Sequence, residues 1–126
     1  MKKIKLTILT LIFSISMGLF AQSEDSIEDI IKGRKAIFSD NYKTAKRVNI
    51  LVNDLEFEEA KKFMKEMTEN YETLLNYFPE NTKEGFNTEA LPSIWENKDE
   101  FNALMQKSAD DMKQLAAVIE DADDLR

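Results

Sequence analysis

Histidine and cysteine are both absent from the 126 residues of this chain. Without thiols these residues can form no disulfide and no thioether link to a cofactor, and without imidazole they form no Ser–His or Cys–His nucleophile pair. A zinc site built on thiolate or imidazole ligands is excluded for the same reason. Because the side chains that many enzymes depend on are missing, we predict that the protein is not an enzyme.

Glycine, proline and positive charge are also scarce. Only three glycines and two prolines occur, and apolar residues do not alternate with polar ones, which disfavours a β-sheet. The 24 acidic residues outnumber the 17 basic ones, so the net charge is −7 and binding to nucleic acid is not expected. The length fits a single domain, and 43% hydrophobic residues are typical of a globular chain.

The first 21 residues have the pattern of an export signal. Lys2, Lys3 and Lys5 precede a mainly apolar run at residues 6–20, which is shorter than the roughly 20 residues that a membrane-spanning helix needs. Ala21 supplies a small residue at the expected cleavage point. We predict a signal peptide at residues 1–21, a mature domain at 22–126, a periplasmic location and no membrane attachment after cleavage. An uncleaved anchor is the alternative.

Apolar residues recur at helical spacing in three segments of the mature domain. This spacing predicts an all-α fold with helices over residues 26–54, 57–78 and 97–119. Pro79 is expected to end the second helix, because proline disfavours helical geometry in the residue before it. Ser26 and Asn97 are the expected N-cap residues of the first and third helices.

The connection at residues 80–96 is longer than the roughly 2–8 residues usual between the helices of a bundle. It contains Phe86, Leu91, Ile94 and Trp95. With so much apolar surface, this segment is expected to pack on the helices instead of extending into solvent.

Three groups of side chains are candidates for a chemical role. Acidic residues could hold a hard cation, but their spacing lacks the fixed offsets of a calcium loop and favours a solvated surface. Methionines could donate a thioether to a metal, although methionine at apolar helix positions is typical of a core. Arg34 lies between apolar residues one turn away on either side, so its guanidinium either reaches water or meets an anionic ligand. The acidic residues are Glu58, Glu59, Asp110, Asp111 and those at 121–124, and the methionines are Met64, Met67, Met105 and Met112.

Two motifs in the long connection carry a family resemblance. They are YFPENT at residues 77–82 and TEALPSIW at residues 88–95, followed by Phe101. Their order and spacing resemble those of the cytochrome c prime family, the class II c-type cytochromes. The segment IKGRKAIF at residues 31–38 resembles the first helix of that family.

The resemblance implies an antiparallel four-helix bundle that encloses one covalently bound haem c, transfers electrons and binds small gases such as nitric oxide. This sequence would supply three helices and the first turn of the fourth. By position, Arg34 would meet a haem propionate and Phe38 would lie on the distal face of the haem. Lys35 and Glu89 would lie near the pocket. The resemblance also implies a redox partner protein.

One departure from the family pattern concerns the attachment of the haem. The fourth helix of the family carries Cys-x-x-Cys-His, which binds the haem covalently and ligates its iron. This sequence has no such motif and ends at Arg126. We expect either a truncated gene model, or a frameshifted gene, or a haem-free relative, and the first is favoured because the sequence stops at the start of an element.

Two alternatives to a haem protein with covalent attachment remain open. One is an exported, haem-free module whose groove binds a hydrophobic ligand or a partner helix. The other is a bundle that binds haem noncovalently with methionine as its only available axial ligand. In every case three amphipathic helices leave apolar surface uncovered, so we expect a homodimer or other self-association.

Overall fold

A computed structural model describes residues 24–126 as four helices connected by turns. The bounds are Glu24–Asn53 for α1, Phe57–Leu74 for α2, Ser93–Glu96 for α3 and Lys98–Glu120 for α4, with a 3-10 turn at Glu80–Thr82. Within the described range there is no β-strand, and the prediction of an all-α fold is confirmed. The predicted signal peptide at residues 1–21 lies outside the described residues.

The three long helices pack in antiparallel pairs, with α2 in the middle. Asn70 of α2 donates to Asn41 of α1 at 2.9 Å, and Thr68 of α2 donates to the carbonyl of Met112 in α4 at 3.3 Å. Helices α1 and α4 both pack on α2, and within residues 24–126 they make no extended contact with each other. The apolar core is consequently small and consists of Ile31, Leu51, Ala60, Met67, Leu74, Phe78, Trp95 and Ala109.

Helix α2 ends at Leu74, four residues before the predicted end. The N–H groups of Leu75, Asn76 and Tyr77 each bond to the carbonyl three residues earlier, which is the tighter 3-10 pattern common at helix ends. The prediction took only Pro79 into account. In the structure, the carbonyls of the two residues before this proline accept hydrogen bonds from side chains of α1 and α4. Arg34 binds the carbonyl of Tyr77, and Lys98 binds that of Phe78.

Of the two predicted N-cap residues, Ser26 is wrong, whereas Asn97 is confirmed in position without making the expected side-chain bond. Ser26 lies inside α1, which begins at Glu24. Asn97 precedes α4, but its side chain makes no capping bond and instead donates to the carbonyl of Ser93. Residues 93–96 form helix α3, and the carbonyl of Ser93, which accepts the N–H of Asn97 at 3.1 Å, also lies within reach of the Asn97 side-chain amide.

Residues 121–126 do not form the first turn of a further helix, contrary to the prediction. The N–H of Ala122 bonds to the carbonyl of Ile119, which closes α4. The Asp124 carboxylate accepts a hydrogen bond of 2.9 Å from the N–H of Arg126, as an N-cap residue does. The backbone of an N-cap residue is not yet helical, so Asp124 can make this bond although residues 121–126 form no helical turn.

None of the helices in the described part of the chain is both long enough and apolar enough to span a membrane.

Candidate functional site

The guanidinium of Arg34 lies at the centre of the contact between α1 and the connection that follows α2. Its Nη1 donates to the carbonyl of Tyr77 at 3.2 Å and to the hydroxyl of Thr82 at 2.8 Å. Its Nη2 donates to the carbonyl of Thr82 at 2.9 Å and to the hydroxyl of Thr88 at 2.5 Å. Four bonds from one side chain therefore fix residues 77–88 to α1.

Burial of Arg34 is nearly complete, with 2% of the residue exposed. Its guanidinium carbon lies 5.0 Å from the ring centre of Phe78 and 5.6 Å from that of Trp95, within the range of cation–π attraction. Removal from water lowers the pKa of Arg34 from its usual value. Guanidinium keeps its charge even so. The alternative in which this head group reaches water is wrong, because the loop supplies acceptors on the protein side.

Gly33 allows the connection to approach α1 closely. A Cβ atom at this position would lie 2.7 Å from Cε1 of Tyr77, closer than side-chain carbons normally come. Glycine in a helix costs up to about 1 kcal/mol relative to alanine. At Gly33 the missing side chain leaves room for the Tyr77 ring, and the carbonyl of Tyr77 lies within hydrogen-bond distance of Arg34.

Beside Arg34 lies a pocket of about 700 Å³ between α1 and the segment that leads into α4. Its walls are mostly apolar. The ring of Phe78 packs between two of them: its centre lies 4.8 Å from the ring centre of Phe101 and 6.5 Å from that of Phe38. The size and the lining are typical of a site for an apolar small molecule. The principal apolar residues of the wall are Phe38, Phe78, Leu91, Ile94 and Phe101.

Charged side chains stand at the edge of this pocket. Lys35 Nζ donates to the carbonyl of Asn87 at 3.0 Å and lies 4.0 Å from a carboxylate oxygen of Glu89. Both side chains are accessible to solvent, with 41% of Lys35 and 87% of Glu89 exposed. Phe38 is also 45% exposed and presents its ring to the pocket side.

All four residues named from the sequence, Arg34, Lys35, Phe38 and Glu89, thus line one pocket. What they bind stays a prediction. Sequence reasoning missed Thr82 and Thr88 as partners of Arg34. Both threonines stand in the two loop motifs, but no spacing rule pairs them with a residue about 50 positions earlier.

The other candidates from the sequence do not meet at this pocket. Among the described residues, no group of three or more acidic side chains is placed to hold a metal ion. Met67 is buried in the core, and Met64, Met105 and Met112 are partly buried along the helices. None of these four methionines lines the pocket.

The pocket therefore fits an apolar organic ligand better than it fits a metal. A planar macrocycle such as a porphyrin would meet aromatic walls and a cationic edge. The residues of the pocket supply no imidazole, thiolate or thioether for an iron ion, and the sequence has no cysteine for a covalent bond.

Comparisons with known proteins agree with the resemblance. The family model described as cytochrome C' matches residues 29–126. The cytochrome c' of Rhodopseudomonas palustris is 33% identical over 84 residues, which are 64% of this chain and 58% of the relative. The match thus spans little more than half the length of that relative. No solved structure gives a significant match. Because the family model covers the pocket and all the described helices but the first turns of α1, the chain belongs to the cytochrome c' family.

Proposed function

We propose that this chain forms the distal part of a haem pocket in an exported electron carrier that also binds small gases such as nitric oxide. The observation that carries the proposal is the apolar pocket at which Arg34, Lys35, Phe38 and Glu89 meet, within the segment that matches the family. Binding and electron transfer, not catalysis, are the proposed activity, with a redox protein as the partner. The periplasm is the proposed compartment, reached through the signal at residues 1–21.

Each side chain of the pocket has a role in this proposal. Phe38 would face a bound haem with a ring that has no lone pair to donate to a metal, so this residue would not compete with a small neutral gas. The aromatic walls exclude water from the bound group. Arg34 fixes the connection that forms the opposite wall, through its bonds to Tyr77, Thr82 and Thr88.

The haem, when bound, would supply the redox chemistry. Its attachment would come from a Cys-x-x-Cys-His segment that the 126 residues do not contain. We propose that the genomic DNA after the codon for Arg126 encodes such a segment in one of its frames.

The test is to read that DNA and to express the extended reading frame with a periplasmic cytochrome-maturation system. We expect a haem that stays with the polypeptide after denaturation and an iron with five ligands. Phe38→Ala should then speed the binding of nitric oxide without loss of the haem. If none of the three frames encodes Cys-x-x-Cys-His, the proposal that such a segment attaches the haem is wrong.

A haem-free binding module is the second candidate, and one observation favours it. The pocket of about 700 Å³ is lined mainly by apolar side chains and has no imidazole, thiolate or thioether, so it can accept an apolar organic molecule by itself. Titration of the full chain with an apolar fluorescent probe, read through the single tryptophan, tests this candidate. Binding that haem does not displace would favour the module over the electron carrier.

A further inference from the structure

A second pocket, of about 520 Å³, lies between the end of α2 and the first turns of α4. Phe78 contributes to its wall and to that of the pocket beside Arg34, and the two linings have no other residue in common. A volume of this size is within the range of small-molecule sites. The proposed function uses none of the polar side chains of this second pocket, so what they bind is a separate question.

Helical spacing brings several nitrogen donors to one side of the second pocket. Lys98, Asn102 and Gln106 follow one another at intervals of four residues and therefore lie on one face of α4. Asn76 lines the same pocket from the tight turn that ends α2. Two elements thus bring one ammonium and three carboxamides to the same small volume.

Lys98 is a partly buried cation without a counterion. Its Nζ donates to the carbonyl of Phe78 at 2.6 Å and lies 5.6 Å from the ring centre of Phe101. Within residues 26–126 no carboxylate oxygen lies within 4.0 Å of this amine. Removal from water lowers the pKa of Lys98, while the charge of Glu80 raises it and that of Arg34 lowers it. Since an ammonium has three N–H donors and the carbonyl uses one, Lys98 can still bind an anion.

The carboxamides beside Lys98 are also available to a ligand. In the described part of the chain, the side chains of Asn76 and Asn102 make no hydrogen bond to another group of the protein. Gln106 Nε2 donates to Asp110 at 3.1 Å, which leaves one of its two hydrogens. A ligand that carries oxygen atoms can therefore accept bonds from this wall without breaking a bond of the protein.

The acid and the apolar residues of the second pocket narrow the class of ligand. Glu80 forms an ion pair with Lys83, which offsets part of the negative charge that would repel an anion. Leu75, Phe78 and Pro79 supply an apolar wall. A phosphate ion has no apolar part to place against that wall, whereas an organic carboxylate has an anionic end and a hydrocarbon body.

We propose that this second pocket binds a small organic carboxylate. Lys98 and Asn102 hold its anionic end, and its apolar body packs against Leu75 and Pro79. The proposal goes beyond the haem-binding function, and it holds or fails independently of the sequence that follows Arg126.

Benzoate and benzamide are the probes, because they share one apolar body and differ in charge. NMR titration of the full chain, read from the side-chain NH₂ signals of Asn76 and Asn102, reports binding at this pocket. We expect benzoate to shift both signals to saturation and benzamide to bind roughly 3- to 10-fold more weakly. Inorganic phosphate, which lacks the apolar body, should bind more weakly than benzoate.

Two variants and a matched control complete the design. Lys98→Gln should weaken the binding of benzoate roughly 3- to 10-fold and leave benzamide unchanged. Asn102→Ala should weaken benzoate about 2- to 5-fold, and alanine at this exposed helical position does not threaten the fold. Lys107→Gln is the control: it removes the same charge from an exposed position on α4 that pairs with Asp111 and does not line the pocket.

Four results would overturn the proposal. The first is a titration in which benzoate shifts signals of Phe38 and Leu91 only, which would place the probe in the pocket beside Arg34. The second is equal affinity for benzoate and benzamide, which would mean that the charge is not recognised. The third is phosphate binding as tight as that of benzoate. The fourth is a loss of affinity in Lys98→Gln no greater than that in Lys107→Gln.

Discussion

A single buried cation organises the site at the scale of one residue. Arg34 lies among neutral acceptors, and within residues 26–126 no carboxylate oxygen lies within 4.0 Å of its guanidinium. A charge taken from water without a counterion is costly unless hydrogen bonds satisfy it. Here four such bonds and two aromatic rings replace water around the guanidinium and offset the cost of its burial.

Replacement of Arg34 by methionine should therefore lower the free energy of unfolding by about 2–4 kcal/mol, because the buried acceptors of Tyr77 and Thr82 lose their donor. Urea unfolding followed by circular dichroism measures this. Arg47→Met is the control, since the Arg47 guanidinium is half-exposed and lies 3.9 Å from Glu59. It should change stability by about 0.5 kcal/mol or less. Equal losses in the two variants would contradict the central role of Arg34.

A second charged contact, between Asp124 and Arg126, should be visible by titration. Hydrogen bonds from the side chain and the backbone of Arg126 lower the pKa of the Asp124 carboxyl from 3.8 to about 2. A carboxylate with a lowered pKa in the folded state favours that state above its unfolded pKa, and this contribution disappears as the pH falls through the folded value. The contact should thus open below the usual range of an aspartate.

Carbon-13 NMR of the Asp124 carboxyl should give a midpoint near about 2. In Arg126→Gln the midpoint should move towards 3.8, because the guanidinium is lost. A midpoint near 3.8 in the original chain would show that the two side chains are not in contact.

At the scale of elements, the turn between α1 and α2 contains a strained residue. Leu55 has a φ of 64°, the left-handed conformation that glycine adopts most easily. The N–H of Glu56 bonds to the carbonyl of Leu51, and the N–H of Leu55 bonds to that of Val52. These two bonds are the pattern with which a helix commonly ends in a left-handed residue.

Leu55→Gly should stabilise the protein by about 1 kcal/mol, because it relieves the left-handed strain while 57% of the leucine is exposed and packs little. Thermal unfolding at one protein concentration measures the change. Lys62→Gly, at an exposed position inside α2, is the control and should destabilise the protein by about 0.8–1 kcal/mol. A loss of stability in both variants would mean that Leu55 contributes more by packing than it costs by strain.

At the scale of the whole molecule, α2 has a long helix on either side, whereas α1 and α4 each pack extensively on only one long helix within the described range. Large apolar side chains are exposed on both of these helices. They are Phe38, Tyr42 and Ile50 on α1, and Leu104, Leu115 and Val118 on α4. Exposed apolar area costs about 25 cal/mol per Å², so its burial against another chain is favourable.

We expect the chain to self-associate, with a melting temperature that rises over a roughly hundredfold range of protein concentration. Sedimentation and calorimetry measure this. Replacement of Leu104 and Val118 by lysine should weaken the association. The control replaces Ala103 and Ala117, which are exposed but expose little apolar area, by lysine and so adds the same charge. A monomer with a sharp transition that does not depend on concentration would contradict the expectation.

The long helices follow from the order of residues alone. The spacing of apolar residues predicts α1, the start of α2 and nearly all of α4, because a helix that buries one face must repeat its apolar residues every three or four positions. The absence of cysteine and histidine likewise limits what the chain can bind by ligation. The loop motifs identify the family without any knowledge of the fold.

The end of α2, the short helix α3 and the partners of Arg34 follow from tertiary contacts. These features involve bonds between residues 16 to 54 positions apart, such as those from Trp95 of α3 to Pro79 and from Arg34 to Thr88. Helical periodicity concerns only neighbours along the chain and carries no information about such pairs. The sequence marks Arg34 as exceptional among apolar neighbours, but only the packing of the connection on α1 shows that its two terminal nitrogens bond to the protein and that Lys35 remains accessible.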